Sequence, residues 1–258
     1  MENRDRDLVS IIMLSKEGGR FAERSVRSVM AQTYQNWELL FYAAYSKDGS
    51  LSRLMELKEQ DQRIQVFQVV GDEKELSRNN GLRKAKGRWI AFLDSGDLWA
   101  PEKLERQIAF MEARSCHCSY TDFEKVGPFL WMNKAVFSGP ARLTREDMIR
   151  CCWPGYLTVM YDAEKVGVMQ VKDLRYNNDY ALWLKVSEKT NCYLLPECLA
   201  KLRTPQSTIM DYLVTDKINW RYRVYRTVLG RGVVISVLMT LRNLYYSTLK
   251  RVKYVRRK

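Results

Sequence analysis

Apolar residues fall in short, almost unbroken runs, and helical spacing takes over between them. LVSIIML (8–14), ELLFY (38–42), IQVFQVV (64–70) and RWIAFLD (88–94) read as strands buried on both faces. Between the first two, Phe21, Val26, Val29 and Met30 recur at helical spacing. Residues 74–86 read as a helix, and so does PEKLERQIAFMEA (101–113), which opens on a proline suited to a first helical turn. Strands alternating with helices predict an α/β fold with a mostly parallel sheet and right-handed crossovers. Such sheets bind ligands beyond the carboxyl ends of their strands, here after Met13, Tyr42, Val70 and Leu93. Residues 116–170 mix short strands and loops, and their order in the sheet is not legible from pattern alone.

The last forty or so residues change character. Aromatic, aliphatic and basic residues interleave, Asp216 is the last acidic side chain, and Gly230 and Gly232 split the stretch into two helical pieces. Val224 and Val228, then Val233, Val237, Leu241 and Leu244, follow helical spacing in part. Two readings stand side by side: an amphipathic helix pair laid on anionic lipid, or a helical hairpin packed on the main domain with a solvated basic face.

At 258 residues and 46% hydrophobic, the chain can form one large domain or a domain plus an appendage with a sizeable core, and the composition argues against disorder. The formal net charge of +13 calls for an anionic partner. No nucleic-acid-binding module accompanies that charge, so nucleic acid is set aside in favour of phosphate groups and an anionic membrane surface. The charged N-terminus MENRDRDLVS has no signal-peptide core, and no apolar stretch reaches the roughly 18 residues of a spanning helix. The expectation is a cytoplasmic protein, peripheral on the cytoplasmic membrane face. None of the six cysteines forms a C-x-x-C pair, and His117 is the sole histidine, which excludes a His-rich metal site and favours reduced, mostly buried thiols.

The chemistry gathers around AFLDSGDLWAPEKL (91–104), where a strand ends in Asp94 and Asp97 follows three residues on. On pattern alone these carboxylates either hold a ligand or shape a turn. Together with SVRSVMAQTYQNWELL, SRNNGLRKAKGRWIAFLDSGDLWAPEKLERQ and NNDYALWLKV, in that order, the segment resembles the inverting family 2 glycosyltransferases of GT-A fold, over about residues 7–205.

The resemblance implies a Rossmann-like GT-A domain over 1–210, followed by basic amphipathic C-terminal helices over 211–258. It implies transfer of a sugar from a nucleotide-diphosphate donor to a saccharide or lipid-linked acceptor, in bacterial polysaccharide or glycolipid assembly. A base must take the acceptor proton while the leaving diphosphate is neutralised by a cation or basic groups. By position, Asp179 matches the base, and Ser15, Arg78, Asp94 and Asp97 match the donor side. Asp94 and Asp97 would hold Mg²⁺ or Mn²⁺, and Trp153 and Trp183 would lie on the acceptor side, with Arg142 and Thr144 bordering it. Asn79 and Gly81 would shape the entry to the helix that carries Arg78.

The chain departs from the family pattern at several points. Leu14-Ser15-Lys16-Glu17 replaces the usual end of the first strand, Ala43 and Ala44 stand where a base-binding Asp pair is usual, and Gly96 replaces an Asp that often touches the metal. Tyr45, Ser46 or Asp48 would have to compensate for the lost base contact. These departures support an alternative, a non-catalytic membrane-associated scaffold of GT-A type with an eroded nucleotide site.

Overall fold

The computed structural model describes residues 5–15, 21–44, 50–69, 74–127, 135–171, 178–203 and 214–257. Lys16, Glu17, Tyr45, Ser46, Asp48 and Val70 lie outside them, as does the expected boundary at 210 and 211.

The first half alternates as its pattern predicts: β1 (Asp5–Leu14), α1 (Ala22–Met30), β2 (Trp37–Ala44), α2 (Ser50–Gln60), β3 (Ile64–Val69), α3 (Lys74–Lys84) and β4 (Gly87–Asp94). β2 and β4 both pair parallel with β1, and β3 pairs parallel with β2, so the spatial order is β3-β2-β1-β4. The chain runs outward through β1, β2 and β3, then returns to the other side of β1. That reversal creates a topological switch point between the carboxyl ends of β1 and β4.

Period-two alternation divides the strand side chains between two cores. Val9, Ile11 and Met13 of β1, with Leu39, Phe41, Trp89, Ala91 and Leu93, pack under α1, α2 and α4 (Lys103–Ala113). Ile12, Leu40, Ile90 and Phe92 pack on the opposite face against α3 and α7 (Asn178–Val186). Pro101 and Glu102 form the turn before α4 instead of its first residues.

The segment that pattern left open is β5 (Leu98–Trp99), β6 (Cys118–Val126), β7 (Ala135–Phe137), β8 (Arg142–Leu143), α5 (Arg145–Arg150), a 3-10 turn at Tyr156–Thr158, β9 (Met160–Asp162) and α6 (Ala163–Val166). β9 adds to β4 antiparallel and carries the sheet on to β6 and β7. β10 (Cys192–Arg203) runs parallel to β6 and antiparallel to β5, which ties the segment after Asp94 to the end of the domain.

The tail forms α8 (Val214–Thr227) and α9 (Val233–Tyr254), divided at the glycines. Its helical pattern was expected to run to the end, but Val255–Arg257 form β11, an antiparallel edge strand on β7. β7 had an unpaired edge, and a short edge strand carrying charge is a usual way to close one. A buried cluster binds the hairpin to the domain. Asn243 Nδ2 on α9 donates to Tyr225 Oη of α8 at 3.0 Å, and Tyr225 Oη donates to the Ile149 carbonyl at 2.9 Å. Lys250 Nζ reaches the carbonyls of Cys152, at 3.1 Å, and Trp153.

Candidate active site

β4 delivers Asp94 to the switch point, where it is the register partner of Leu14 at the end of β1. Asp94 is 3% exposed. The next residues make a tight turn fastened on three sides. Ser95 N donates to the Leu14 carbonyl at 2.9 Å, Gly96 N to Ser25 Oγ at 2.8 Å, and Asp97 N back to the Asp94 carbonyl at 3.1 Å. Gly96 has φ +101°, and a Cβ there would meet Arg203 Nε at 2.8 Å. Glycine is therefore required by the turn itself, in addition to any effect on metal ligation. Asp97 is buried, and its Oδ1 accepts from Arg203 N at 2.9 Å. One Asp97 oxygen thus ties the turn to β10, while the Arg203 guanidinium lies over the Phe21 ring at 3.4 Å.

Ser15 extends β1 by one residue: its N donates to the Tyr42 carbonyl at 3.0 Å, and its buried Oγ has no hydrogen-bond partner among the described residues. That residue follows Leu14, whose carbonyl accepts from Ser95 N of the Asp94 turn.

Arg78 is buried rather than solvated. Its Nε donates to Tyr156 Oη at 3.2 Å and its guanidinium lies 4.5 Å from the Tyr156 ring centre. Burial pulls the Arg78 pKa down, but Tyr156, Asp179 and Asp94 together more than offset this and raise it. A single guanidinium therefore feels both carboxylates, one from the end of β4 and one from the start of α7. Asn79 and Gly81 lie inside α3, not at its entry. Asn79 clasps Val171 by two hydrogen bonds of 2.7 and 3.1 Å, and a Cβ on Gly81 would meet Ile12 at 2.9 Å, so Gly81 lets α3 approach β1 closely.

Asp179 is half-buried in the first turn of α7, where the helix dipole favours a carboxylate. Trp183, one turn on, is 1% exposed, with its ring edge-on to Phe92 at 5.3 Å and 6.1 Å from Tyr156. Trp153 is also buried: its Nε1 donates to the Asp147 carbonyl at 3.0 Å and its ring meets Tyr254 edge-on. Both tryptophans belong to the buried hydrophobic cluster on the α3 and α7 face of the sheet. Thr144 caps α5 in a reciprocal capping box with Asp147, and exposed Arg142 lies on β8.

Tyr156, Ser25 and Arg203 escaped the sequence reading. Tyr156 lies 78 residues from Arg78 in the chain, and no periodic signal joins them. His117 lies 3.6 Å from Asp162, which binds Arg88 at the start of β4, the far end of the strand from Asp94. All six cysteines are free thiols.

A cation would find few ligands here. Among the described residues no three His, Cys, Asp or Glu side chains cluster. Mg²⁺ commonly uses only one or two carboxylates and takes its remaining ligands from substrate phosphates and water, and this turn carries two buried carboxylates, Asp94 and Asp97.

The family model described as Glycosyl transferase family 2 matches residues 10–157. The chain is 34% identical over 206 residues to the putative teichuronic acid biosynthesis glycosyltransferase TuaG of Bacillus subtilis, covering 79% of this chain and 82% of that one. It is 33% identical over 209 residues to the Escherichia coli UDP-Glc:alpha-D-GlcNAc-diphosphoundecaprenol beta-1,3-glucosyltransferase WfgD, covering 80% of each. Among solved structures, S. aureus TarS 1-349 in complex with UDP-GlcNAc superposes with a TM-score of 0.68 at 14% identity, over 95% of this chain and 74% of that one. The mannosyltransferase PcManGT of Pyrobaculum calidifontis, in complex with GDP-Man and Mn2+, gives 0.59 at 12% identity, over 93% and 75%. At these identities the structural likenesses show a shared GT-A fold. The family match spans the second half of β1, all of β2 to β8, the switch point and the Asp94 turn, and the chain belongs to glycosyl transferase family 2.

Proposed function

We propose that this glycosyltransferase moves a sugar from a nucleotide-diphosphate donor to a saccharide or lipid-linked acceptor with inversion. Residues 1–210 carry the transfer and 211–258 form the membrane-facing helices. The carrying observation is Arg78, buried and stacked on Tyr156, within the fields of both Asp94 and Asp179. Asp94 belongs to the donor side, Asp179 to the acceptor side, and the Arg78 guanidinium lies within the field of both carboxylates.

In this reading Asp179 accepts the proton of the attacking hydroxyl in an in-line displacement. Arg78 and Ser15 Oγ orient the donor, and Asp94 with Asp97 marks where Mg²⁺ or Mn²⁺ would bind. Such a cation would neutralise charge growing on the leaving diphosphate. Trp183 and Trp153 act as the floor of the acceptor side, holding α7 and α5 in place. The E. coli relative's lipid-diphosphate acceptor and the B. subtilis relative's teichuronic acid pathway support polysaccharide or glycolipid assembly, with the chain peripheral on the cytoplasmic membrane face.

Calorimetry with UDP, GDP, CMP and dTDP and their sugar conjugates, with and without Mn²⁺ or Mg²⁺, tests this. Saturable binding of one donor that weakens in Asp94→Ala is expected. No binding of any donor at millimolar concentration would leave the non-catalytic scaffold as the better account.

A further inference from the structure

The longest helix of the tail is amphipathic in the reverse sense. Ser236, Thr240 and Asn243 of α9 are buried, while Val234 (71%), Leu238 (61%), Leu241 (58%), Tyr245 (61%) and Val252 (80%) are exposed. These five residues recur at intervals of three, four or seven and fall on one side of the helix. The inward polar face is not a defect of packing, since its groups are bonded. Thr240 Oγ1 donates to the Ser236 carbonyl at 2.7 Å and Asn243 Nδ2 donates to Tyr225 Oη at 3.0 Å. A helix that buries hydroxyls and an amide while presenting valines and leucines has its apolar face committed to something other than its own domain.

We infer that this outer face of α9 lies in the headgroup region of an anionic bilayer. Charge identifies the occupant. Arg242, Arg251 and Lys253 are exposed beside the apolar stripe and Arg231 precedes it, and no acidic residue follows Asp216. A second copy docking through the same helix would bring these basic edges together with no α9 carboxylate to pair them. Anionic lipid supplies both apolar chains for the stripe and negative charge for its margins. Among the described residues no helix is long and apolar enough to cross a membrane, and the 22 residues of α9 extend about 33 Å, which suits a helix lying in the interface plane.

Docking there also orients the enzyme. Asn243 and Lys250 fasten α9 to Tyr225 and to the Cys152 and Trp153 carbonyls, and Tyr225 meets Tyr180 beside Asp179. The acceptor side is thereby held next to the bilayer, where a lipid-linked acceptor resides. This last step rests on the function proposed above, whereas the lipid contact itself does not.

Flotation of the full chain with phosphatidylcholine vesicles, with and without phosphatidylglycerol, tests the contact. The parent chain should float only with the anionic vesicles, and Leu238→Glu combined with Leu241→Glu should lower the bound fraction at least about tenfold. Arg242→Gln and Arg251→Gln should each lower it about fivefold. Because all four positions are exposed, the thermal midpoint should stay unchanged, which separates lost docking from lost folding. Failure of the parent to float, undiminished flotation of the Leu variants, or a lipid-free dimer dissolved by Leu238→Glu would each overturn the inference. Donor calorimetry on the same samples keeps the two readings apart: flotation without donor binding sinks only the proposed sugar transfer, and donor binding without flotation sinks this inference and the membrane placement proposed above but leaves the transfer standing.

Discussion

The hydroxyls of Tyr180 and Tyr225 lie 3.2 Å apart, and Asn243 Nδ2 is within 3.4 Å of the first and 3.0 Å of the second. Tyr180 follows Asp179 on α7, so three buried polar groups link the C-terminal hairpin to the residue proposed as base. Tyr225→Phe removes a hydroxyl that donates to the Ile149 carbonyl and accepts from Asn243. Leaving those groups short of partners should cost about 1–3 kcal/mol in urea unfolding. Turnover should fall while the donor KM stays nearly constant, and an unchanged unfolding midpoint would show the cluster to be dispensable.

Asp179→Asn keeps the shape of the side chain and removes its basicity. Transfer should fall about 10²–10⁴-fold, with donor affinity within a factor of about two of the parent. Product formation and calorimetry on one preparation measure both. A matching loss of donor affinity would place Asp179 on the donor side instead.

Arg78→Lys should be a poor substitute despite its charge. Lysine cannot donate from a planar fork while stacking on Tyr156. Donor affinity should drop at least about tenfold, and losing the guanidinium plane stacked on Tyr156 should cost about 1–2 kcal/mol of stability. Equal donor binding by the Lys variant would show that only net charge matters there.

Gly96→Ala sets a residue with a side chain at φ +101° and drives its Cβ against Arg203. The cost should be about 1–3 kcal/mol, with donor binding weakened because the Asp94–Asp97 turn shifts. Gly232→Ala is the control: its Cβ would meet nothing within 4 Å and its φ is −60°, so its unfolding midpoint should match the parent's.

Lys103 is wholly buried, its ammonium 4.2 Å from the centre of the Trp99 ring and 2.7 Å from Gln107 Oε1. Burial pushes its pKa down from 10.5 to about 7. Between about pH 7 and 10.5 the unfolded chain holds a proton that the folded chain has shed. This group therefore makes stability rise with pH across that window, by up to about 1.4 kcal/mol per unit, and adds no slope below about 7. Lys103→Met should remove that slope and be the more stable protein at pH 7. Urea titrations of both proteins at pH 7, 8 and 9 should show the gap narrowing as pH rises; a constant gap would mean that Lys103 stays protonated throughout.

Much of this architecture was legible in the chain. Val9, Ile11 and Met13 alternate with Ser10 and Ile12, and a strand with apolar residues on both faces has to lie inside a sheet covered on both sides. That is a local signal, set by one residue's spacing from the next, and it placed β1 to β4 and set Asp94 at a strand end, whereas the strand order that makes the switch point came from the pairing of distant strands. Gly230 and Gly232 likewise marked the break between α8 and α9.

What remained hidden depends on contacts between residues far apart in sequence. A surface position for Arg78 stays open in the sequence until Tyr156 is brought over it. Trp183 reads equally well as an acceptor platform until Phe92 and Tyr156 close around it. Helical spacing in the tail identified an apolar stripe but not which side of the helix meets the domain. The rest of the chain offers α9 the Tyr225 hydroxyl and the Cys152 and Trp153 carbonyls, so the helix turns Asn243 and Lys250 inward, with Thr240 bonded to the Ser236 carbonyl of the same helix, and turns its valines and leucines outward. Periodicity specifies which residues share a face. Only the surface that the rest of the chain presents decides which face is buried, because burial is favourable where partners already wait and costly where they do not.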